Sequence, residues 1–390
     1  MNKLSTNIKE WRIILGICLV FALRVLGMFI VLPVFSTYGI SLRDSTIFLS
    51  SIAIGSYGFF QALFQIPYGW LSDKIGRKIV IILGLLFFLI GSYVCLNSNS
   101  IWGMILGRSI QGSGAISSVC MVLLSETISK QNKTKAMGLL GISFGASFVI
   151  SMVISPIIVR IFGFHSVFFV SFLLSILCIL VVWFVIPFSK FNKKIYIKNE
   201  YKIFLSLFKR SNLFQLDLNI FFLHVLLILH FIVIPIQLHI YISFIHSAWI
   251  IYLITIIVSF IVVLPINVYI KDKKHIKIAI LCSIVLLMIS NFIFLFFKNN
   301  YIFLILGLQI FFIVFSFFEM IFPILVSKNS PKDYKGTAMA IYSISQFLGS
   351  SIGSILGGLI LNFYGSSLLF LFELIIIFIW FFINIRYLKI

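Results

Sequence analysis

Twelve long apolar runs, separated by short polar segments, account for almost the whole chain. Six fall near residues 12–38, 47–71, 78–97, 101–124, 135–160 and 164–187. Six more fall near residues 213–240, 244–270, 276–297, 301–326, 334–361 and 365–388. A helix crosses the hydrocarbon core of a bilayer with about 20 apolar residues. The pattern therefore predicts an all-α membrane protein with twelve transmembrane helices, here numbered spans 1 to 12.

A polar stretch at residues 189–211 divides these runs into two groups. It carries seven lysines and arginines and predicts a basic linker between a six-helix bundle at residues 1–188 and a second bundle at residues 212–390. The two halves repeat weakly, because Val31, Pro33, Ala136, Met137, Ile142 and Ser143 recur 202 residues later as Val233, Pro235, Ala338, Met339, Ile344 and Ser345. Two halves in the same orientation form the parallel repeat of one large class of transporters.

Composition and charge agree with a membrane environment. Hydrophobic residues make up 61% of the chain and charged residues 10%, whereas soluble domains contain about 25% charged residues. Of the 30 lysines and arginines, 25 fall in the termini, the linker and the loops of one side, and three fall in the loops of the other side. Because positive residues mark cytoplasmic segments, both termini are predicted to be cytoplasmic. This distribution also explains the net charge of +20 without nucleic-acid binding.

The most specific motif is the loop between spans 2 and 3, which reads Gly69-Trp70-Leu71-Ser72-Asp73-Lys74-Ile75-Gly76-Arg77-Lys78. We expect Gly69 to let a neighbouring helix approach closely and Gly76 to adopt a positive φ where span 2 ends. Asp73 can contact the positive N-terminus of a nearby helix, and Arg77 can pair with a carboxylate. The alternative interpretation is an ordinary tight loop in which cations such as Lys78 anchor the chain.

Two arginines, Arg24 and Arg108, lie within spans of the first half, which has no deep carboxylate. Arg108, Gln111, Gly112 and Ala115 are spaced to share one face of span 4. A cation near the centre of a span costs roughly 2.5–3.5 kcal/mol, so we expect Arg108 to face water or an anion. The alternative is an arginine that fastens helices together by hydrogen bonds to carbonyl groups.

Deep acids occur only in the second half, as Glu319 in span 10 and Glu373 in span 12. Glu319 is the best candidate for a proton carrier, because a carboxyl group removed from water exchanges its proton closer to neutral pH. His224 in span 7 is its natural companion, although it could be a packed imidazole and Glu319 could belong to a structural ion pair. We assign Glu373 to helix packing or a position near lipid, and His230 to the interface at the outer end of span 7.

The loop between spans 2 and 3 resembles the signature G-x-L-x-D-x-x-G-R-K of the major facilitator superfamily. Four further segments resemble its YajR-type group of drug/proton antiporters: Leu23-Arg24-Val25-Leu26-Gly27-Met28-Phe29, Gln65-Ile66-Pro67, Ser100-Ile101-Trp102-Gly103 and Tyr334-Lys335-Gly336-Thr337-Ala338-Met339. The resemblance implies the major facilitator fold in a bacterial inner membrane, with two bundles that rock around a central cavity. Members of that group usually carry a soluble domain after span 12, which we expect to be missing here because the sequence ends at Ile390.

The resemblance also implies roles for individual residues. The signature loop, with Gly69, Asp73, Gly76, Arg77 and Lys78, would latch the outward-open state. Asp73 would lie at the N-terminus of span 11, and Arg77 would pair with Glu126 at the foot of span 4. Arg108 would take part in proton coupling, and the group has a histidine and a glutamate at the positions of His224 and Glu319. Antiporters of the superfamily have a glycine-rich span 5 that ends in Gly-Pro. Here Ser155-Pro156 replaces that ending.

Further polar side chains could line a cavity. They are Tyr57, Gln61, Gln65, Gln237, Tyr342 and Gln346. The sequence has no spacing typical of a nucleophile with its base or of a metal site. We therefore expect a transporter rather than an enzyme, without metal or cofactor. We also expect a monomer. Its partners would be the lipid bilayer, protons and a small molecule, and a proton gradient would supply the energy.

Two functions fit these features. The first is secondary active transport, with proton-coupled export of a small amphiphilic compound by alternating access. The second is a facilitator or symporter for an anionic metabolite, which would explain two arginines in a half without a carboxylate.

Overall fold

The computed structural model describes residues 2–129, 132–186, 206–207, 210–241, 248–269, 273–331 and 334–387. In these ranges the chain is almost entirely helical, and its one extended contact is an isolated bridge between Arg43 and Ser100. The predicted all-α fold is confirmed. The linker predicted at 189–211 lies outside the described residues except for positions 206, 207, 210 and 211.

The first six spans lie between residues 2 and 185. Their helices are Asn2–Phe29 with Leu32–Tyr38 for span 1, Ile47–Ile75 for span 2, Arg77–Leu96 for span 3, Ile101–Ser113 with Ser117–Thr127 for span 4, Lys133–Phe162 for span 5 and Ser166–Val185 for span 6. Span 1 restarts at Leu32, and Pro33 lies in the first turn of the second helix, where its missing N–H costs no hydrogen bond.

The last six spans follow the linker. Their helices are Ser211–Tyr241 for span 7, Ala248–Tyr269 for span 8, Lys273–Phe297 for span 9, Tyr301–Asn329 for span 10 and Lys335–Tyr387 for spans 11 and 12 together. The last helix turns at Gly365, whose φ of 82° is non-helical. Within the described ranges, nine helices are long and apolar enough to cross a membrane. The broken span 4, the shorter apolar helix Ile250–Pro265 of span 8 and the division at Gly365 bring the spans to twelve.

Span 4 differs from the prediction of one continuous helix. Gly114 has φ −80° and ψ 51° and ends the first helix, and the second begins at Ser117. Ala115 was predicted to share the helical face of Arg108, Gln111 and Gly112. It does not, because the helix ends before it. A Cβ atom on Gly112 would meet the backbone of Tyr57 in span 2, and one on Gly114 would meet the backbone of Gly84 in span 3. Close packing on both sides thus holds the break in place.

Serine side chains join span 5 to span 1. The hydroxyl groups of Ser147 and Ser151 donate to the carbonyl oxygens of Ala22 and Leu26 at 2.8 and 3.1 Å, and Ser155 donates to that of Ile30. The serine that replaces the expected glycine before Pro156 is therefore a packing contact. Hydrogen bonds of this kind fasten helices where apolar packing competes with lipid.

The two bundles contact each other mainly in the half of the membrane remote from the signature loop. The Ser354 hydroxyl in span 11 donates to the Ser51 carbonyl oxygen in span 2 at 2.5 Å. Phe148 in span 5 packs against Phe315 in span 10 and Phe231 in span 7, with ring centroids 5.3 and 6.4 Å apart. At the signature-loop end, a Cβ on Gly336 of span 11 would lie 3.3 Å from Val122 of span 4.

Candidate functional site

The signature loop is built on a tight turn at Gly76. Its φ of 101° and ψ of 144° lie outside the region that other residues readily adopt, and its N–H donates to the Ser72 carbonyl oxygen at 3.1 Å. The predicted positive φ is confirmed. Since span 3 begins at once with Arg77, the turn fixes where the arginine side chain starts.

Arg77 brings two carboxylates together. It binds Glu126 through two nitrogens, with Nη2–Oε1 at 2.9 Å and Nε–Oε2 at 3.3 Å, and Nη2 also pairs with Asp73. Nη1 donates to the hydroxyl group of Ser72. The Arg77 side chain is 13% exposed, so water screens this bidentate ion pair only partly. The structure thus places Arg77 against Glu126 as the resemblance implies.

Asp73 does not occupy the implied position at span 11 in this conformation. Its carboxylate pairs with Arg77 four residues later, while Gly336 at the start of span 11 faces Val122. The contact between Asp73 and span 11 stays a prediction for the outward-open state.

Gly69 and Lys78 have roles other than the predicted ones. A Cβ on Gly69 would have no described atom within 4 Å, so the expected close helix approach is wrong. Its carbonyl oxygen instead accepts from Arg77 at 3.5 Å. Lys78 is buried, and its Nζ donates to the carbonyl oxygens of Trp183 and Ile186 at 2.9 and 2.7 Å. Lys78 therefore caps the C-terminal end of span 6, where unpaired carbonyls favour a cation.

Arg24 crosses the core of the first bundle. It is 1% exposed, and Nη2 donates to Oε1 of Gln61 at 2.7 Å and to the Gly114 carbonyl oxygen. Gly114 can accept because the break in span 4 leaves its carbonyl oxygen outside the helical ladder. The guanidinium also lies 5.5 Å from the ring centroid of Phe88, a cation–π distance.

Arg108 is buried as well. Its Nη1 donates to Oε1 of Gln111 at 2.9 Å, and Gln111 in turn donates to Ser92 in span 3 at 2.8 Å. The guanidinium lies 4.5 Å from the ring centroid of Tyr57 in span 2. With 1% exposure, Arg108 does not face water in this conformation. The expectation of a water-facing arginine is wrong here. The alternative of hydrogen bonds to carbonyl groups is not seen either, because the hydrogen bond of Arg108 goes to Gln111 in the same span and its contact with another span is the ring of Tyr57.

His224 and Glu319 meet between spans 7 and 10, with Nε2 and Oε1 separated by 3.5 Å. Nδ1 of His224 lies 3.2 Å from the Ile220 carbonyl oxygen; because a carbonyl only accepts, Nδ1 carries the ring hydrogen when the imidazole is neutral. Nε2 then has a free lone pair, which accepts from Nε2 of Gln346 in span 11 at 2.8 Å. The Glu319 side chain is 18% exposed, although its Oε1 atom is buried and has no hydrogen-bond partner among the described residues.

The other polar candidates are mostly buried around these groups. Gln65 is 1% exposed, and both polar atoms of its side chain are without partners among the described residues, as are the hydroxyl groups of Tyr57 and Tyr342. Gln237 is half-buried. Asp217, which shares a face of span 7 with His224, is 4% exposed.

In the outer half of the second bundle, the prediction for His230 is wrong, because the residue is not interfacial but 4% exposed. Glu373 is completely buried, which agrees with helix packing and not with a position near lipid. Their Nε2 and Oε2 atoms are 3.6 Å apart. His239 and His246 lie outside the residues whose side chains the structure describes. In the part of the chain that is described, no group of three potential metal ligands occurs.

Comparison with known proteins decides the family. The profile of the Major Facilitator Superfamily matches residues 13–273 and 232–390. The chain belongs to the major facilitator superfamily. It is 49% identical over 379 residues to an uncharacterized transporter of Buchnera aphidicola subsp. Baizongia pistaciae, a match that covers 96% of both chains.

This major facilitator protein is also 39% identical over 385 residues to the inner membrane transport protein YajR of Escherichia coli. That match covers 97% of this chain and 84% of YajR. The crystal structure of a D-xylose-proton symporter superposes with a TM-score of 0.77 at 13% identity, covering 97% of this chain and 98% of the other. At that identity the likeness shows the fold alone. These matches confirm the predicted superfamily and the resemblance to the YajR-type group. The family consists of transporters rather than enzymes, as predicted.

Sequence reasoning missed several polar contacts of this transporter. Asn219 in span 7 accepts from Nε1 of Trp380 at 2.6 Å and from Nδ2 of Asn384 at 2.8 Å, both in span 12. Asparagines are infrequent enough in these spans to attract notice. However, a single sequence does not reveal which pairs of helices lie side by side, so neither this contact nor His230–Glu373 was predictable from spacing.

Proposed function

We propose that this protein is a secondary active transporter of a bacterial inner membrane, with both termini in the cytoplasm, that exports a small amphiphilic compound in exchange for protons. Membership of the superfamily and similarity to an inner membrane transport protein support transport and location. The resemblance to the YajR-type antiporters supports export. Alternating access would rock the two bundles relative to each other, so that the contacts between spans 2 and 11 separate.

The pair of Glu319 and His224 carries the proposal of proton coupling. Glu319 is the one deep acid that combines partial exposure, at 18%, with a histidine within 3.5 Å among the residues that the structure describes. Its Oε1 has no hydrogen-bond partner there. A partly exposed carboxyl group that faces a basic nitrogen can bind and release a proton.

Gln346 suggests how the proton could be linked to movement. In this conformation its amide donates to Nε2 of His224, the lone pair that Glu319 faces. A protonated Glu319 would donate to the same lone pair and displace the amide. Because Gln346 belongs to span 11, which contacts span 2 of the other bundle through Ser354 and Ser51, proton binding would shift the balance between conformations.

The buried arginines give little support to an anionic substrate. Arg24 and Arg108 contact neutral oxygens and aromatic rings, so each has a hydrogen-bond partner without an anion. The Nε of both has no partner among the described residues. Proton-coupled export is therefore the preferred function, and exchange of an anion is the outcome that would replace it.

The proposal predicts that Glu319→Gln uncouples transport from the pH gradient. Proteoliposomes with an imposed gradient would be loaded with a cationic dye, and dye movement and internal pH would be followed together. The wild-type protein should move dye with the gradient and dissipate it, whereas Glu319→Gln should show flux that no longer responds to the gradient. Gln preserves volume, so loss of folding is not expected.

Glu126→Gln provides the matched control, because it neutralises an acid of the signature loop and leaves Glu319 intact. Its residual flux, though reduced, should still follow the gradient. Retained coupling in Glu319→Gln would remove this acid as the proton site. Gradient-insensitive anion exchange by the wild-type protein would replace export as the function.

A further inference from the structure

A second acid–histidine pair lies in the outer half of the C-terminal bundle. His230 follows His224 by six residues, which is about 9 Å along span 7. Its Nε2 is 3.6 Å from Oε2 of Glu373 in span 12. The pair resembles His224–Glu319 in its parts but differs in access, because the Glu373 side chain is 0% exposed and the Glu319 side chain 18%.

The imidazole of this pair presents a lone pair to the acid. Nδ1 of His230 lies 2.7 Å from the Leu226 carbonyl oxygen. Since that oxygen can only accept, Nδ1 carries the ring hydrogen, and in the neutral ring Nε2 is an acceptor. Neither Nε2 nor the two Glu373 oxygens have a hydrogen-bond partner among the described residues. Oε2 lies 3.6 Å from Nε2, slightly beyond hydrogen-bond length, so Glu373 is the group that would donate to Nε2 after a small approach.

The surroundings do not suit a charged carboxylate. Phe311 of span 10 stacks on His230 at 4.3 Å, and Phe294 of span 9 lies 5.1 Å from it and stacks on Phe370 of span 12 at 5.5 Å. These three spans thus place aromatic rings against the pair, and neither Glu373 oxygen has a hydrogen-bond donor among the described residues. The buried amide of Asn291 in span 9 donates to the Phe370 carbonyl oxygen at 3.2 Å. A carboxylate accepts only and is costly to bury without donors, whereas a protonated carboxyl group is neutral and can donate.

We propose that Glu373 is a protonated carboxylic acid whose hydroxyl group donates to Nε2 of His230, so that the C-terminal bundle holds a permanently bound proton that does not exchange during transport. The hydrogen bond joins span 7 to span 12 in the outer half of the membrane. Asn219 joins the same two spans nearer the other end, through Trp380 and Asn384. Spans 7 and 12 therefore move as one unit.

Infrared difference spectroscopy on the purified full chain tests the bound proton directly. The spectrum of Glu373→Gln is subtracted from that of the wild type at pH 6 and at pH 8. We expect the carbonyl band of a protonated carboxylic acid at both pH values, lost in Glu373→Gln and retained in Glu319→Gln. Carboxylate bands from Glu373 at either pH would overturn the proposal. The measurement needs no substrate and does not depend on the proposed function.

Thermal unfolding in detergent tests the hydrogen bond. Glu373→Gln should unfold at a midpoint close to that of the wild type, because its amide N–H can donate to the same lone pair. Glu373→Met has similar volume but no donor, and its midpoint should be lower. If Glu373→Gln falls as far as Glu373→Met at pH 6 to 8, the pair is ionised and the proposal fails.

Discussion

At the scale of single residues, Arg77 shows how one side chain can organise a loop. The turn at Gly76, with φ 101°, places Arg77 at the first position of span 3, where it reaches Asp73, Ser72 and Glu126. The pairing with Glu126 joins the loop to the end of span 4. Hydrogen bonds to charged groups contribute about 1.5–3 kcal/mol each, and the exposure of Glu126, at 42%, reduces that value through screening.

Replacement of Arg77 should therefore weaken transport without preventing insertion. Arg77→Ala removes all of these contacts, and a loss of about 1.4 kcal/mol corresponds to a tenfold change in an equilibrium, so we expect transport to fall roughly tenfold or more. Arg77→Lys keeps the charge but cannot bind Glu126 through two nitrogens, and it should retain an intermediate rate. The measurement is initial flux in proteoliposomes at equal protein content. Wild-type flux from Arg77→Ala would show that the loop does not act as a latch.

Residue types that require one conformation or one environment were predictable. Gly76 was identified from its place between Lys74 and Arg77, and Glu319 with His224 from the rarity of ionisable groups in apolar runs. The contact between His230 and Glu373 was not predicted, because it depends on which spans are neighbours. Gly69 was misassigned for the same reason, since a small residue indicates close approach only if another helix faces it.

At the scale of elements, glycines serve two different purposes in this chain. Gly349 and Gly353 of span 11 lie against span 7, where added Cβ atoms would meet the backbones of Phe221 and Val225. Gly358 of the same span faces Ser51 in span 2. In span 5, by contrast, a Cβ on Gly141 or Gly145 would have nothing described within 4 Å. The small residues of span 11 therefore face two neighbouring helices.

This difference predicts opposite effects of the same substitution. At Gly353→Ala the new Cβ would lie 2.7 Å from the Val225 carbonyl oxygen, and relief of such overpacking costs about 1–3 kcal/mol. At Gly141→Ala the space is open, and alanine favours a helix over glycine by about 1 kcal/mol. Thermal unfolding in detergent should place Gly353→Ala below the wild type and Gly141→Ala at or above it. Equal midpoints for the two variants would contradict the packing described for span 11.

At the scale of the whole molecule, the twelve-span plan was predictable because lipid requires each crossing segment to be long, apolar and helical. The break of span 4 was not, because Gly112-Ser113-Gly114 reads equally well as a small-residue stretch inside a helix. The contacts between the bundles could not be predicted from the sequence either, because Ser51 and Ser354 are 303 positions apart and serines are common in both spans. Those contacts decide how the halves can move.

The last prediction concerns that movement. A Cβ at Gly55 in span 2 would lie 3.1 Å from the Cβ of Ser354 in span 11, and disulfides need about 3.5–4.5 Å, so Gly55→Cys with Ser354→Cys should cross-link after a small adjustment. Cys282 is exposed and would be replaced by serine. If the bundles must separate here during transport, oxidation should stop flux and a reductant should restore it.

The control for this experiment is a pair within one bundle. Ser98→Cys with Gly103→Cys joins spans 3 and 4, where the Cβ atoms would lie 2.9 Å apart, and this bond does not cross between the halves. Oxidation should leave its flux unchanged, as it should in either single variant of the first pair. Because both double variants form a disulfide but only the first one crosses between the bundles, a difference between them reports relative movement of the bundles rather than oxidation itself. Undiminished flux with span 2 fully cross-linked to span 11 would mean that this contact is permanent, and transport would then need an opening elsewhere.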